Sequence, residues 1–367
     1  MLFFVCLVQS ATSCPACNAN EIRIKRRYQR KVQTLKGLET FDVNQYCCRV
    51  CGHTFADGIE GVKQGSRIAD DVKRLSVEAY LEGPDLEGVR GRLRKDFGLR
   101  ISVSTIWRAC WAAEKAAQCV PGRMNQDLKL SSFVCTDEKF ISVHGRKKPQ
   151  FFAIDPITLL VVGQKLLRNR DEPAIVQELR KLKRMGFKVV ISDDWKSYAS
   201  AAKKLGMRHQ KCHFHAKQAV FRIMKKKHIQ KRRKEKFIRW LFQFLDSKSI
   251  KEAKVWLRVI GRMKMEKKLR RFLKSFLYDW QDYFTYLEFE GCPKTSNAIE
   301  AFNRRFEQKR QNMHGFRKEK TARGFTALYG LYSAFRKFES GKNVGISPLE
   351  LAGFELENRT LFDFLPL

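Results

Sequence analysis

Two Cys-x-x-Cys pairs, Cys14 to Cys17 and Cys48 to Cys51, stand near the start of this 367-residue chain. Each such knuckle presents two thiolates, and four thiolates close the tetrahedron of a structural zinc ion. Cys47 adjoins Cys48, but only Cys48 completes the spacing with Cys51, and His53 is not needed once four sulfurs are present. The alternative is a set of unbound buried thiols. A site closed by four thiolates has no open position, so its role is structural. Carboxylates form a second set: Asp137 in FVCTDEKFISV, Asp193 after KVVIS, and Glu300 in TSNAIEAFNRRFEQKRQN. Carboxylates remote in sequence can converge on paired Mg²⁺ ions about 3.5–4 Å apart, the arrangement that stabilises attacking and leaving oxygens in phosphoryl transfer. Glu300 has a competing reading, because Asn297 to Glu300 fits a capping box in which the glutamate only binds the cap amide.

Neighbouring groups compete for the same roles. Glu138 should alternate to the strand face opposite Asp137; Asp194 directly follows Asp193, and Asp155 begins a turn. All three read as surface or capping groups. Cys212 and His215 form a Cys-x-x-His with no second pair close by in sequence, so packing or hydrogen bonding near the carboxylates is a better reading than a second zinc.

These residues need elements to hold them. Between the knuckles, extended basic and apolar segments with a turn at Gly37 suit a small β zinc ribbon over residues 11–60, behind an unstructured or loosely docked leader at 1–10. HTFADGIEGVKQGS reads as a linker. Helical periodicity follows over 68–120: ADDVKRLSVEAYLEG stops at Gly83-Pro84, a helix covers Leu86 to Phe97, and another opens at Ser102 or Ser104 after the Gly98 turn. That spacing is a helix-turn-helix, with Ser104, Thr105 and Arg108 placed to reach a DNA groove and Ile106 and Trp107 turned to the packing. A plain three-helix linker domain is the competing reading. From Leu130 come three strands, a helix, a strand, a helix and a strand, the order of an RNase H-like α/β core over 130–340. Residues 216–290, with KKKHIQKRRKEK, form a basic helical insertion that either faces a polyanion or is a solvated helix pair. The apolar and acidic tail 341–367 should dock on the core, or serve as an interaction tail.

The formal net charge of +35 favours a polyanionic partner, because Lys and Arg that neutralise phosphates release condensed counterions. The initial apolar run is about eight residues long, with no basic residue before it, too short for a membrane span. A reducing interior, cytoplasmic and nucleoid-associated, then favours metal ligation over disulfides for the eleven cysteines.

VVISDDWKSYASAAKKLG, HQKCHFHAK and TSNAIEAFNRRFEQKRQNMHGFRKEKTARGF together resemble the DDE transposases of bacterial and archaeal insertion sequences, in particular groups with a zinc ribbon and a Mutator-like core. The resemblance runs from about Cys14 to Phe338 and implies that Asp137, Asp193 and Glu300 are catalytic and hold two Mg²⁺ (or Mn²⁺) ions. Asp193 is preferred to Asp194 because Trp195 and Tyr198 follow it at the family's offsets. Cys212 and His215 would shape the site. An enzyme of this kind frees a 3′ hydroxyl at a transposon end and joins it to target DNA. Its partners are double-stranded DNA, both ends and target, and further copies of itself, as a homodimer or higher synaptic complex, with no membrane. Arg304 and Arg305 would hold phosphates. Two rival readings are a zinc-ribbon and helix-turn-helix regulator with an inactive core, and a nuclease of the same fold that cuts without joining.

Overall fold

The computed structural model describes residues 6–120, 128–225, 231–263 and 267–365. The chain divides into two compact units, one drawn from Met1–Gly122, Gln311–Met313 and Arg359–Leu367, the other from Arg123–Arg310 and His314–Asn358.

In the first unit β1 (Val8–Gln9) precedes a long hairpin of β2 (Ile22–Thr34) and β3 (Gly37–Cys48), followed by β4 (Thr54–Ala56) and β5 (Gly58–Ile59). Gly37, at φ 114°, makes the turn that a side chain would strain. β3 also pairs antiparallel with β4, and β1 with β5. Two expectations change here. Val8 and Gln9 are paired as a strand rather than loose, and the segment read as a linker supplies both β4 and β5. Val32, Val43, Ile59 and Val62 form the small core behind this sheet.

Three helices follow: α1 (Asp70–Glu82), α2 (Leu86–Phe97) and α3 (Val103–Ala117). Gly98 ends α2 in the left-handed region at φ 65°, with its N–H donated to the carbonyl of Arg94. Ser102, not Ser104, caps α3 by accepting the N–H of Thr105. Val89, Leu93, Ile106, Ala109 and Ala113 are buried along α2 and α3. Trp107 departs from expectation: it is 47% exposed and stacks on Trp111 at 5.8 Å, because its position on α3 lies a third of a turn from the buried Ile106 side.

The second unit is built on β6 (Phe133–Val143), β7 (Arg146–Ile154), β8 (Val161–Leu166), α4 (Glu172–Arg184), β9 (Val189–Ser192), α5 (Lys196–Lys204) and β10 (Arg208–Lys211). Its sheet order is β10-β9-β6-β7-β8; the first three strands form an antiparallel meander, and β9 and β10 run parallel to β6. This is the RNase H-like arrangement. The run VVIS is buried throughout, as a strand covered on both faces requires. Ile175, Leu179 and Leu182 from α4 and Tyr198, Ala201 and Ala202 from α5 cover one face.

The insertion comprises α6 (His213–Met224), α7 (Lys231–Leu245), α8 (Ile250–Gly261), α9 (Lys267–Phe276) and two 3₁₀ turns at Trp280–Tyr283 and Thr285–Leu287. Phe237, Leu241, Phe244, Tyr283 and Phe284 give it a core of its own, which a solvated helix pair would lack. Much of the basic run KKKHIQKRRKEK lies outside the described residues. α10 (Asn297–Gln311) and α11 (Glu319–Phe335) complete the core, and α12 (Pro348–Leu351) and α13 (Leu361–Phe364) lie in the tail. The tail is divided: residues up to Asn358 belong to the second unit and those from Arg359 to the first. Among the described residues no helix is long and apolar enough to cross a membrane.

Candidate metal centres

The β-hairpin brings the two knuckles together because Ile22, shortly after Cys17, pairs with Cys48. Sγ of Cys14 lies 3.6 Å from that of Cys51, and Sγ of Cys17 lies 3.6 Å from that of Cys48. All four sulfurs fall within 4.8 Å of one another. A zinc tetrahedron with Zn–S bonds near 2.3 Å has edges of about 3.8 Å, so the four-thiol group fits zinc. Hydrogen bonding among the sulfurs divides them: the backbone N–H of Cys51 lowers the Cys48 thiol, whereas the Cys17 and Cys51 thiols are raised. Cys47 turns its sulfur to the carbonyls of Cys48 and Gly52, outside the tetrad.

The carboxylates are related through sheet register. In the parallel β6–β9 pair Cys135 lies opposite Ile191. Asp137 stands two residues beyond that pair within β6, and Asp193 two residues beyond it just past the end of β9, so the register carries both to about one level of neighbouring strands about 4.8 Å apart. Phe152, the cross-strand partner of Asp137, packs edge-on against Phe302 and Phe306 of α10, each at 5.0 Å. That contact seats α10 over the face that carries Asp137, where Asn303, one turn after Glu300, donates to Asp137 Oδ2 at 2.7 Å.

Glu300 is in the first turn of α10, but its carboxylate accepts from His215 Nε2 at 3.1 Å. The helix begins with Asn297 itself, so the Asn297 capping box does not form. Cys212 joins the same cluster: its sulfur accepts the N–H and the hydroxyl of Ser296, both at 3.2 Å, directly before α10. Cys212 and Glu300 together raise His215 to about 10, and the bonded imidazole lowers Glu300. The Cys-x-x-His pair therefore fastens the glutamate's helix to the end of β10.

Each of the three carboxylates has a donor of its own. Lys139 lies 3.1 Å from Asp137, and Arg170 lies 3.3 Å from Asp193. Burial raises the Asp137 carboxyl, Lys139 opposes that shift, and the nearby Glu300 charge adds to it. Among the described residues the only group of three or more ligand-type side chains within 4.8 Å is the cysteine tetrad, so the carboxylate oxygens are spread more widely than one ion would hold them. Hard oxygen donors match Mg²⁺ or Mn²⁺, and Asn303 Oδ1, next to Asp137, is buried without a partner.

A sequence model of the transposase IS66 family matches residues 74–324. The chain belongs to the IS66 transposase family. The resemblance to insertion-sequence transposases is thereby narrowed to one family. This transposase is also 23% identical over 315 residues to the insertion element ISM1 uncharacterized 48.3 kDa protein of Methanobrevibacter smithii, covering 79% of this chain and 75% of that one. Among solved structures, similarity is found to the Drosophila P element transposase strand transfer complex, with 11% identity, 70% and 90% of the two chains covered and a TM-score of 0.40. The Mos1 transposase catalytic domain with raltegravir and Mn is similar at 12% identity, 56% and 94% coverage and a TM-score of 0.21.

Of the neighbouring carboxylates, Glu138 departs from expectation in this transposase, whereas Asp155 caps a turn as expected. Glu138 is not at the surface: it is 6% exposed, accepts from the Tyr198 hydroxyl at 2.9 Å and lies 3.2 Å from Arg170. Burial pushes its carboxyl up to about 7 against the pull of Arg170. Asp155 is also buried, and caps an internal turn by accepting the N–H groups of Ile157 and Thr158. Asp194 pairs with Lys211 at 2.7 Å, whereas Asp193 pairs with Arg170 at 3.3 Å and accepts the N–H of Trp195 at 3.2 Å. Arg170, Lys139 and Asn303 were missing from the candidate residues. Asn303 had a signal, the Asn-x-x-Glu-x-x-Asn spacing; Arg170 had none, since only the fold brings that loop to Asp193. On α3, Ser104 and Arg108 are exposed, whereas Thr105 is half-buried beside the Ser102 cap. Arg304 and Arg305 are exposed on α10.

Proposed function

We propose that the protein cleaves DNA at the ends of an insertion element and joins the freed 3′ hydroxyls to target DNA, with Asp137, Asp193 and Glu300 holding two Mg²⁺ (or Mn²⁺) ions. What supports this reading most is the parallel β6–β9 register, which carries Asp137 and Asp193 to about one level, together with α10 bonded to Asp137 through Asn303. Two bound ions supply Lewis-acid activation of the attacking oxygen and charge stabilisation at the phosphodiester. The chain's own residues prepare the site. Asn303 orients Asp137, His215 holds Glu300 as a charged acceptor, and Arg170 sits between Asp193 and the buried Glu138. Its guanidinium also lies 4.1 Å over the Trp195 ring, which fixes its plane.

The cysteine tetrad binds structural zinc, and the ribbon with α1–α3 reads the element's ends. Ser104 and Arg108 reach base edges from the start of α3, Thr105 stabilising that first turn. Arg304 and Arg305 hold phosphates without sequence preference. Joining two ends requires a dimer or larger synaptic complex.

The test is Mg²⁺-dependent cleavage and joining of duplexes carrying the element's own ends, wild type against Glu300→Gln. Gln preserves the side-chain shape and removes the charge. Loss of both reactions with DNA binding retained supports the proposal. Cleavage without joining in wild type would instead mark a nuclease, and undiminished activity in the variant would remove Glu300 from the ligand set.

A further inference from the structure

The last segment of the insertion is bonded, residue by residue, to the strand beside the second aspartate. Thr285 Oγ1 donates to the carbonyl of His209 at 2.6 Å. Gln210 donates to the carbonyl of Tyr283 at 3.1 Å and accepts the N–H of Tyr286 at 2.8 Å. His213 Nε2 lies 2.6 Å from the same Tyr283 carbonyl, and Lys211 donates to the carbonyl of Tyr278. β10 is an edge strand, and its outer side is therefore covered by one short stretch, 278–286, that sequence places about 70 residues away.

Two of these links continue inward to the Asp193 turn. Asp282 Oδ2 holds His209 Nδ1 at 3.0 Å, and His209 Nε2 meets Ser192 Oγ at 2.9 Å. The Ser192 hydroxyl donates to the carbonyl of Asp193 at 3.0 Å. Beside them, Lys211 ties Asp194 to the Tyr278 carbonyl. The order Asp, His, Ser matches a hydrolase triad by residue type only: Ser192 is fully buried and its proton is engaged by Asp193, so it is no nucleophile. The chain of bonds instead fixes the imidazole from one side and the turn that carries Asp193 from the other.

We propose that Asp282 and His209 are positioning residues for Asp193, so that the end of the insertion sets the geometry of the second metal ligand. The inference rests on the two-ion reading of Asp137, Asp193 and Glu300. It makes the insertion part of the metal site's support. Residues that support a ligand from outside the coordination shell change metal affinity by about 10–100-fold when removed.

The test uses the full zinc-loaded chain with Asp282→Ala, which removes the acceptor from a partly exposed position, and Asp282→Asn, which restores an acceptor for His209. Four quantities are read: Mn²⁺ affinity, amide hydrogen exchange over residues 193–196 without added Mg²⁺ or Mn²⁺, affinity for a non-specific duplex, and melting temperature. The expected result is roughly tenfold weaker Mn²⁺ binding in Asp282→Ala, faster exchange over 193–196, unchanged duplex affinity, and recovery in Asp282→Asn. Unchanged exchange over 193–196 overturns the proposal, as does a parallel loss of duplex affinity and melting temperature that marks a merely structural role. If wild type binds no Mn²⁺ outside the ribbon, the two-ion reading fails, and with it the metal-positioning role. Accelerated exchange would then show the mechanical link alone.

Discussion

The two candidate metal centres are assembled in opposite ways. The cysteine tetrad draws its ligands from two tight knuckles at neighbouring hairpin ends, so local spacing and one pairing register close it. The carboxylates come from a strand, a turn after another strand and a helix far along the chain, and sheet register with the Asn303–Asp137 bond is what relates them. The first set is crowded with thiols. The second is spread out, each carboxylate resting on a side-chain donor. Close-packed thiols form a site that demands a metal to be stable, whereas paired carboxylates form one that tolerates its absence and can exchange ions.

Zinc removal is the strongest way to break this comparison. Structural zinc contributes apparent binding energies of about 10–16 kcal/mol in small domains. A strong chelator should therefore abolish the cooperative melting of the ribbon while leaving that of the α/β core, and omission of Mg²⁺ should alter neither transition. Calorimetry with and without chelator checks this; loss of both transitions on chelation would show that the core also depends on zinc.

A smaller effect should come from outside the ligand sets. Asn303→Ala removes the amide that orients Asp137, and it should weaken Mn²⁺ binding by about 10–100-fold with zinc content unchanged. Equilibrium dialysis with metal analysis reads both quantities in one sample.

Buried carboxyls sharpen the contrast between paired and unpaired groups. Glu114 in α3 makes no ion pair among the described residues, and burial alone pushes it up to about 8 from 4.5. The unfolded chain releases this proton first. Its stabilising contribution is thus full below pH 4.5 and is lost as pH rises to about 8, by at most about 1.4 kcal/mol per pH unit. Glu114→Gln should flatten that dependence in melting curves taken between pH 5 and 8.

Much of this architecture was legible in the sequence where signals are local. The helices ended at Gly83 and Gly98, the Gly37 turn and the order of strands and helices follow from capping, turn chemistry and periodicity. Strand pairing over short, mixed stretches was not legible: Val8–Gln9 and the segment after Cys51 carry no alternation strong enough to mark β1, β4 and β5. Nor was the fate of Trp107, since an aromatic next to a buried isoleucine fits either side of a helix until its neighbours are placed. The ligand candidates were nameable from motifs. Their supports were not, because Arg170, Glu138 and the Asp282–His209–Ser192 chain depend on contacts between segments distant in sequence.

The central claim is that the carboxylates form an exchangeable metal site in addition to the zinc site. Its most direct test is the number of Mn²⁺ ions bound per zinc-loaded chain in complex with end DNA, for wild type and Asp137→Asn. Two Mn²⁺ in wild type, lost in the variant with zinc retained, is the predicted result; no Mn²⁺ in wild type, or the same number in Asp137→Asn, would contradict it.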